Sequence, residues 1–268
     1  MRIRIAHSTL YRYDPPAAGE IQVLRLTPRN YDGQYVVRWR IDVTPDTRLA
    51  AHEDAFGNIT HVFTAEGPLS ALSVDVDGEV ETQNIEGVVR GTVERFPPSL
   101  FLRDTALTQA DPAIREFAEA LHAASGGQVL ATLHALLARL HEQIGHDADP
   151  ARPATDAAQA FARKRGGARE LAHIFIGAAH SLGVPARYVG GYLCRTVCGQ
   201  APDADHAWAE AHVPDLGWVG FDPTGGYCPA GAHVRVAIGL DALGAAAVRR
   251  TGYGIGAETA AIAITVDQ

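Results

Sequence analysis

The chain has 268 residues, of which 47% are hydrophobic and 20% are charged, and its formal net charge is −8. These values are ordinary for a soluble globular protein of one or two domains with an ample core. Nucleic-acid binding needs concentrated positive charge, whereas the basic runs here are as short as Arg163-Lys164-Arg165. We therefore expect no nucleic acid partner.

The sequence also argues against a membrane partner. No segment has the apolar length that a spanning helix needs. Residues 1–7 alternate apolar and polar side chains, which predicts a strand rather than an export signal. Three cysteines, an odd number, are typical of free thiols in a reducing compartment. Together these features predict a cytoplasmic protein.

The first hundred residues carry β signals. Alternating or β-branched segments, separated by turn signals rich in Gly, Pro, Asn and Asp, predict successive antiparallel strands. The predicted strands are 2–9, 21–28, 35–44, 58–64 and 71–82. Residues 95–98 (Arg-Phe-Pro-Pro) interrupt the pattern like a linker. We therefore predict a sandwich-like β-domain over residues 1–95 and a second domain over residues 96–268.

The second domain begins with helical periodicity. Apolar residues spaced by three and four predict helices beginning at 112, 129, about 155 and 168. The fourth helix starts at Ala168, on its inward face, and ends before Gly183. Strands are then predicted at 186–193, 206–213, 218–222, 233–238 and 258–266. The whole chain is predicted to be of the α+β class.

Three positions in this domain suggest nucleophilic catalysis. A nucleophile is most easily activated at a helix N-terminus, where the helix dipole favours an anion. It also needs a base within hydrogen-bond reach and a third group that orients the base. Ala168 stands at such a helix start, His206 is the candidate base, and Asp222 is the candidate orienting acid.

The strands that carry His206 and Asp222 are predicted to form a hairpin, and the register of that hairpin decides whether the two side chains lie on the same face. With Pro214 opposite Trp218, Asp222 falls opposite Glu210 and on the same face as His206. A slip of one residue would put the two side chains on opposite faces. Glu210 is then either a carboxylate supporting Asp222 or a solvated strand residue.

The blocks around these positions resemble bacterial transglutaminase-like proteins of the papain-like cysteine protease superfamily. Residues 166–173 are similar to the family signature Gly-Val-Cys-Arg-Asp-Phe-Ala-His. The other similar blocks are 181–189, 206–210 and 218–224, and in the β-domain 7–13, 26–28 and 54–58. The resemblance covers nearly the whole chain.

This resemblance implies a papain-like core, with helices packed on an antiparallel sheet, that carries a Cys-His-Asp triad. It also implies cysteine-dependent attack on an amide carbonyl, ending in hydrolysis or acyl transfer. His206 and Asp222 match the triad's base and acid. Trp208 and His173 are candidate substrate-binding residues, with packing and a structural hydrogen bond as the respective alternatives. No cofactor or metal is implied, and the partner expected is a peptide or amide-containing ligand, or an active homologue.

The signature cysteine falls on Ala168, and a methyl group cannot form an acyl-enzyme. Loss of a triad nucleophile lowers the rate on the order of 10⁶-fold. Two explanations follow: a natural pseudoenzyme, or an active cysteine peptidase or amidase carrying an engineered Cys-to-Ala change. Neighbouring departures from the signature at Gly167, Glu170 and Leu171 favour the pseudoenzyme.

The cysteines that the chain does contain are poor substitutes. Cys194, Cys198 and Cys228 do not begin a predicted helix, so none gains activation from a helix dipole. The spacing of Cys194 and Cys198 is a weak zinc signal without a second ligand pair. We expect free thiols in loops.

Overall fold

The computed structural model describes residues 1–147, 155–194, 206–254 and 257–268. In these ranges the chain forms thirteen strands and four α-helices, with a 3₁₀ turn at Pro98–Leu102. The elements before the fourth helix are β1 Arg2–Thr27, β2 Gln34–Thr44, β3 Ala50–Glu53, β4 Ile59–Thr82, β5 Val88–Val89, α1 Pro112–Ala124, α2 Val129–Gln143, β6 Gly145–His146, α3 Ala157–Arg163 and β7 Arg165–Gly166. The remaining elements are α4 Ala168–Ser181, β8 Ala186–Leu193, β9 His206–Val213, β10 Gly217–Phe221, β11 His233–Gly239, β12 Val248–Tyr253 and β13 Ala257–Asp267.

Two long strands, β1 and β4, form the centre of a six-stranded antiparallel sheet. The sequence predicted each of them as two separate strands, 2–9 and 21–28 around the Asp14-Pro15-Pro16 turn signal and 58–64 and 71–82 in β4. The structure corrects this: the β1–β4 ladder continues past these prolines through irregularities between Arg12 and Gly19. A bulge bends a strand without reversing its direction, so this turn signal marks a bend.

The bend folds this sheet over its own core. The first half of β1 lies between β13 and β4, and the second half lies between β12 and β4. Side chains from both halves meet in one apolar cluster, including Tyr11 and Val74 from the first half and Leu24 and Phe63 from the second. The predicted sandwich-like packing thus comes from one bent sheet.

The C-terminal strands return to this first sheet. β12 and β13 both pair with β1. Sequence reasoning grouped residues 258–266 with the second domain and gave no strand at 248–253. The first sheet therefore contains strands from both sides of the predicted boundary at residue 95. Partner choice of an edge strand is a long-range property that the strand's own alternation does not encode.

The second layer has a five-stranded antiparallel sheet in the order β11-β8-β9-β10-β5. Helix α4 packs on β8 and β9, and α1, α2 and α3 pack around α4. The segment before α1 also approaches α4 closely, since a Cβ on Gly177 of α4 would lie 2.3 Å from the carbonyl oxygen of Thr108. Helices on an antiparallel sheet confirm the α+β class.

The two layers are joined by apolar and polar contacts. Ile3 and Ile5 of β1 belong to the same apolar cluster as α4. The carboxamides of Gln34 and Asn58 each pair with a backbone N–H and C=O of edge strand β11, at Arg235 and Ile238, over 2.8–2.9 Å. These amides satisfy backbone groups that an edge strand would otherwise leave unpaired.

Within the described residues, no helix has both the length and the apolar character required to cross a membrane.

Candidate active site

The N-terminus of α4 is buried at the centre of the second layer. Ala168 is its first residue and is 8% exposed. The preceding Gly167 has no side chain to cap the helix, but the carboxylate of Glu170 accepts a hydrogen bond from the Gly167 N–H at 2.9 Å. A buried helix start, with the positive end of the helix dipole at Ala168, is the environment that favours an anionic nucleophile.

The hairpin of β9 and β10 is two residues out of the predicted register. Gly217 pairs with Val213 and Phe221 with Ala209, so the ladder continues toward Asp222 opposite Trp208 rather than Glu210. The prediction that used Pro214 as a paired residue is therefore wrong in detail, because Pro214 has no N–H to donate to a ladder. A shift of two residues leaves every side chain on its predicted face.

That register brings His206 and Asp222 together. His206 Nε2 lies 2.7 Å from Asp222 Oδ2, and both side chains are buried. With Nε2–H donating to the carboxylate, His206 Nδ1 is the ring nitrogen left to accept a proton. This Nδ1 is buried and has no hydrogen-bond partner among the residues that the structure describes. Such an unpaired acceptor is what a base facing a nucleophile presents.

Asp222 is held by four donors. Its Oδ2 also accepts from His233 Nε2 at 3.1 Å, and its Oδ1 accepts from the backbone N–H groups of Thr224 and Gly225. Burial by itself would raise the pKa of Asp222. The charge that His206 carries when protonated, the hydrogen bonds from His206 and His233, and the charge of a protonated His233 outweigh burial and hold the pKa well below the usual range. Asp222 is thus a carboxylate.

Sequence reasoning missed His233. It assigned a strand to 233–238 and expected the histidines without a partner pattern, His233 among them, at the surface; this was wrong, since His233 is 4% exposed and is paired with Asp222. The available signal was its place as the first residue of an apolar strand, where a polar side chain needs a buried partner. The partner comes from another strand, which alternation alone does not identify.

A metal is a chemical alternative here, since His206, Asp222 and His233 each offer a ligand atom within 4.8 Å of the others. A metal-bound histidine donates its second ring N–H to an acceptor. His233 does the reverse: its Nδ1 accepts from the Ala230 N–H at 3.3 Å, so Nε2 carries the ring proton. These side chains fit a hydrogen-bonded cluster and not a metal site. The expected absence of metals and cofactors stays a prediction.

The two candidate substrate-binding residues lie in different surroundings. Trp208 is buried, packs edge-on against His233 and lines a small cavity of about 20 Å³ together with Tyr31 and Arg235. His173 is buried in α4, where its Nε2 accepts from the Ala242 N–H at 3.1 Å. Burial lowers the pKa of His173 to about 4. It is therefore a neutral residue that supports a loop, and substrate contact stays a prediction for both.

Glu210 is neither solvated nor next to Asp222. It is fully buried between two guanidinium groups, with oxygens 2.7 Å from Arg187 Nε and from Arg235 Nε. Burial would raise the pKa of Glu210, but the charges of Arg235 and Arg187 and their hydrogen bonds outweigh it and lower the pKa to about 2. Arg187 also binds Glu94 of the segment joining the two layers. This ion cluster is structural.

The described cysteines do not take the place of a nucleophile. Cys194 is buried beside the Val266 carbonyl. Burial raises the pKa of the Cys228 thiol, which disfavours its thiolate. Cys198, and with it the weak zinc spacing, lies outside the described residues.

The papain-like layer and the His206–Asp222 pair define the class of protein. Residues 3–81 match the bacterial transglutaminase-like N-terminal region, and residues 115–223 match the transglutaminase-like superfamily. The chain therefore belongs to the transglutaminase-like superfamily and carries the bacterial N-terminal region. The resemblance found in the sequence blocks is confirmed.

Similar proteins extend over most of the chain. An uncharacterized protein of Mycobacterium leprae is 26% identical over 254 residues, which are 90% of this chain and 89% of that protein. A crystal structure of a proposed cysteine protease from Cytophaga hutchinsonii has a TM-score of 0.77 at 19% identity, covering 99% of this chain and 90% of that one. The periplasmic domain of TgpA from Pseudomonas aeruginosa has a TM-score of 0.42 at 19% identity, covering 82% of this chain and 90% of that domain.

Proposed function

We propose that this chain is a pseudoenzyme of the transglutaminase-like superfamily, which binds a peptide or amide-containing ligand without covalent turnover. The observation that carries the proposal is Ala168 as the first residue of buried helix α4, in a chain that keeps a buried His206–Asp222 pair. The methyl group stands where the family signature has the attacking cysteine. A hydrocarbon group cannot act as a nucleophile, so acyl-enzyme chemistry stops there.

The unpaired Nδ1 of His206 supports this reading of the site. Most buried ring nitrogens have a hydrogen-bond partner, although the Nδ1 of His173 also has none among the described residues. Here Nε2 is satisfied by Asp222 and Nδ1 has no partner among the described residues. The nitrogen is thus available to a ligand N–H, or to a thiol if one were present.

Restoring the thiol tests the proposal. In Ala168→Cys, the imidazole and the helix dipole should stabilise a thiolate, so iodoacetamide should alkylate the introduced thiol rapidly even near pH 6, about two units below the ordinary thiol range. Alkylation at position 168 is followed by peptide mass spectrometry, which separates it from the three native cysteines. Turnover is measured with a blocked glutaminyl-glycine dipeptide and hydroxylamine.

The matched control is Ala168→Cys combined with His206→Phe, which keeps a buried ring and removes the base. Its thiol should react only as the pH approaches the ordinary thiol range. Turnover by the parent chain would refute the pseudoenzyme. A folded Ala168→Cys variant whose thiol behaves like the control would refute the transglutaminase-type site. Ligand identity, an active homologue as partner and a cytoplasmic location stay predictions.

A further inference from the structure

His233 is the one side chain in the His206–Asp222–His233 cluster to which neither the sequence blocks nor the triad assigns a role. It donates to Asp222 Oδ2, the same oxygen that His206 uses, at 3.1 Å against 2.7 Å for His206. All three side chains are buried, at 4%, 1% and 0% exposure for His233, His206 and Asp222. Two imidazoles therefore share one carboxylate oxygen away from bulk water.

The direction of the His233 hydrogen bond is fixed by the backbone. The Ala230 N–H donates to His233 Nδ1 at 3.3 Å, which requires a lone pair there and leaves the proton on Nε2. The ring is also held edge-on by Trp208 and Tyr227, at centroid distances of 5.3 and 5.8 Å. His233 is thus presented to Asp222 as a rigid neutral donor.

We propose that His233 is a positioning residue that locks the Asp222 carboxylate against His206 and limits how strongly that carboxylate favours a proton on His206. The inference deepens the proposed function, because it concerns the same pair of side chains. A donor aimed at a carboxylate stabilises the anion and offsets part of its field at a neighbouring cation. His233 thereby takes up part of the hydrogen-bonding capacity of the carboxylate oxygen that faces His206.

The charge balance of the cluster agrees with this role. Burial lowers the pKa of His233, and the hydrogen bond and charge of Asp222 only partly offset that effect. Among the described residues, the charged side chains that shift the pKa values of Asp222 and His233 are the members of the cluster, and backbone groups of Ala230, Thr224 and Gly225 contribute hydrogen bonds. With His233 neutral, the single Asp222 charge is shared between two ring N–H donors.

Histidine titration by NMR tests the inference on the chain as it is, without requiring turnover. In His233→Phe the ring contacts remain and the donor is lost, so the pH midpoint of the His206 ring resonances should rise by about one unit. In the matched variant His233→Gln, a carboxamide N–H can donate to Asp222, and the midpoint should stay near that of the parent. Thermal unfolding of each variant establishes that it is folded.

Three outcomes overturn the inference. The first is a folded His233→Phe variant whose His206 midpoint is unmoved or lower. The second is equal midpoints in His233→Phe and His233→Gln. The third needs no variant: long-range ¹H–¹⁵N spectra of the parent that show His233 charged near neutral pH, or protonated on Nδ1. Failure of thiol restoration at position 168 leaves this result intact, so the two proposals fail separately.

Discussion

At the scale of single residues, the His206–Asp222 pair has a structural reason to exist as well as a chemical one. Asp222 accepts two imidazole N–H groups and two backbone N–H groups, and so ties β9, the turn after β10 and β11 together. Truncating such a carboxylate would leave four donors without their buried partner, which is costly. A chain without a nucleophile would therefore still keep Asp222. What points to a site is the Nδ1 of His206, unpaired among the described residues, on a ring that Asp222 orients, since His173 also has an unpaired Nδ1 but its Nε2 accepts from a backbone N–H.

The buried ion cluster around Glu210 gives a residue-scale prediction. Glu210→Gln leaves Arg187 and Arg235 without their shared counter-charge, and unfolding free energy at pH 7 should fall by about 3–5 kcal/mol. Glu94→Gln is the control, because Glu94 binds the same Arg187 but is one-third exposed and should cost less. Urea denaturation measures both, and equal losses would contradict a special role for the buried carboxylate.

The stability difference between the parent protein and Glu210→Gln is also expected to depend on pH. The folded pKa of Glu210 is lowered to about 2 from its ordinary 4.5. A carboxylate with a lowered folded pKa stabilises the protein above the unfolded value and loses that contribution as pH falls through the folded value. The difference in unfolding free energy between parent and Glu210→Gln should therefore be constant above about pH 5 and narrow toward pH 2.

At the scale of elements, the β9–β10 hairpin decides whether a site forms. Its three-residue loop depends on Gly217, which has a φ of 84°, a conformation that L side chains adopt at a cost. The loop sets the register, and the register puts Asp222 beside His206.

Gly217→Ala should lower the free energy of unfolding by about 1–2 kcal/mol, which is the cost of placing an L side chain in the left-handed conformation. No steric clash adds to this cost, since nothing lies within 4 Å of the added Cβ. Gly145→Ala is the control. Gly145 lies in strand β6, has no positive φ, and an added Cβ would meet only the Lys164 carbonyl oxygen at 3.6 Å. Chemical denaturation should detect a loss in the first variant and little change in the second. Similar losses in both would show that the loop does not require a left-handed residue.

At the scale of the whole molecule, the edge of the second sheet is completed by side chains of the first. Asn58→Ala removes the amide that hydrogen-bonds to both the N–H and the C=O of Ile238. Ile238 is only 5% exposed. We expect a loss of about 2–4 kcal/mol from two unsatisfied buried groups. Asn30→Ala removes one exposed hydrogen bond, to the Val36 N–H, and should change stability little. Calorimetry of both variants checks this, and a near-neutral Asn58→Ala would mean that water replaces the amide.

The whole-molecule arrangement also explains which sequence predictions failed. Helices α1 to α4 and strands β8 to β11 lie close to their predicted bounds, because local periodicity and caps such as Asp111, which accepts from the Ile114 N–H, determine them. The merging of strands into β1 and β4 was not predicted. Turn residues specify a local backbone conformation, and the partner strand decides whether that conformation reverses the chain or bends it.

The sequence by itself determined the fold class, helices α1 to α4 with strands β8 to β11, and three residues of interest, Ala168, His206 and Asp222, since these depend on periodicity and on blocks of adjacent residues. Tertiary structure alone decided that His233 joins Asp222, that Glu210 is enclosed by arginines, and that the C-terminal strands complete the first sheet. The physical reason is distance along the chain. A buried polar group must find its partner in space, and a partner on another strand leaves no mark in the local pattern.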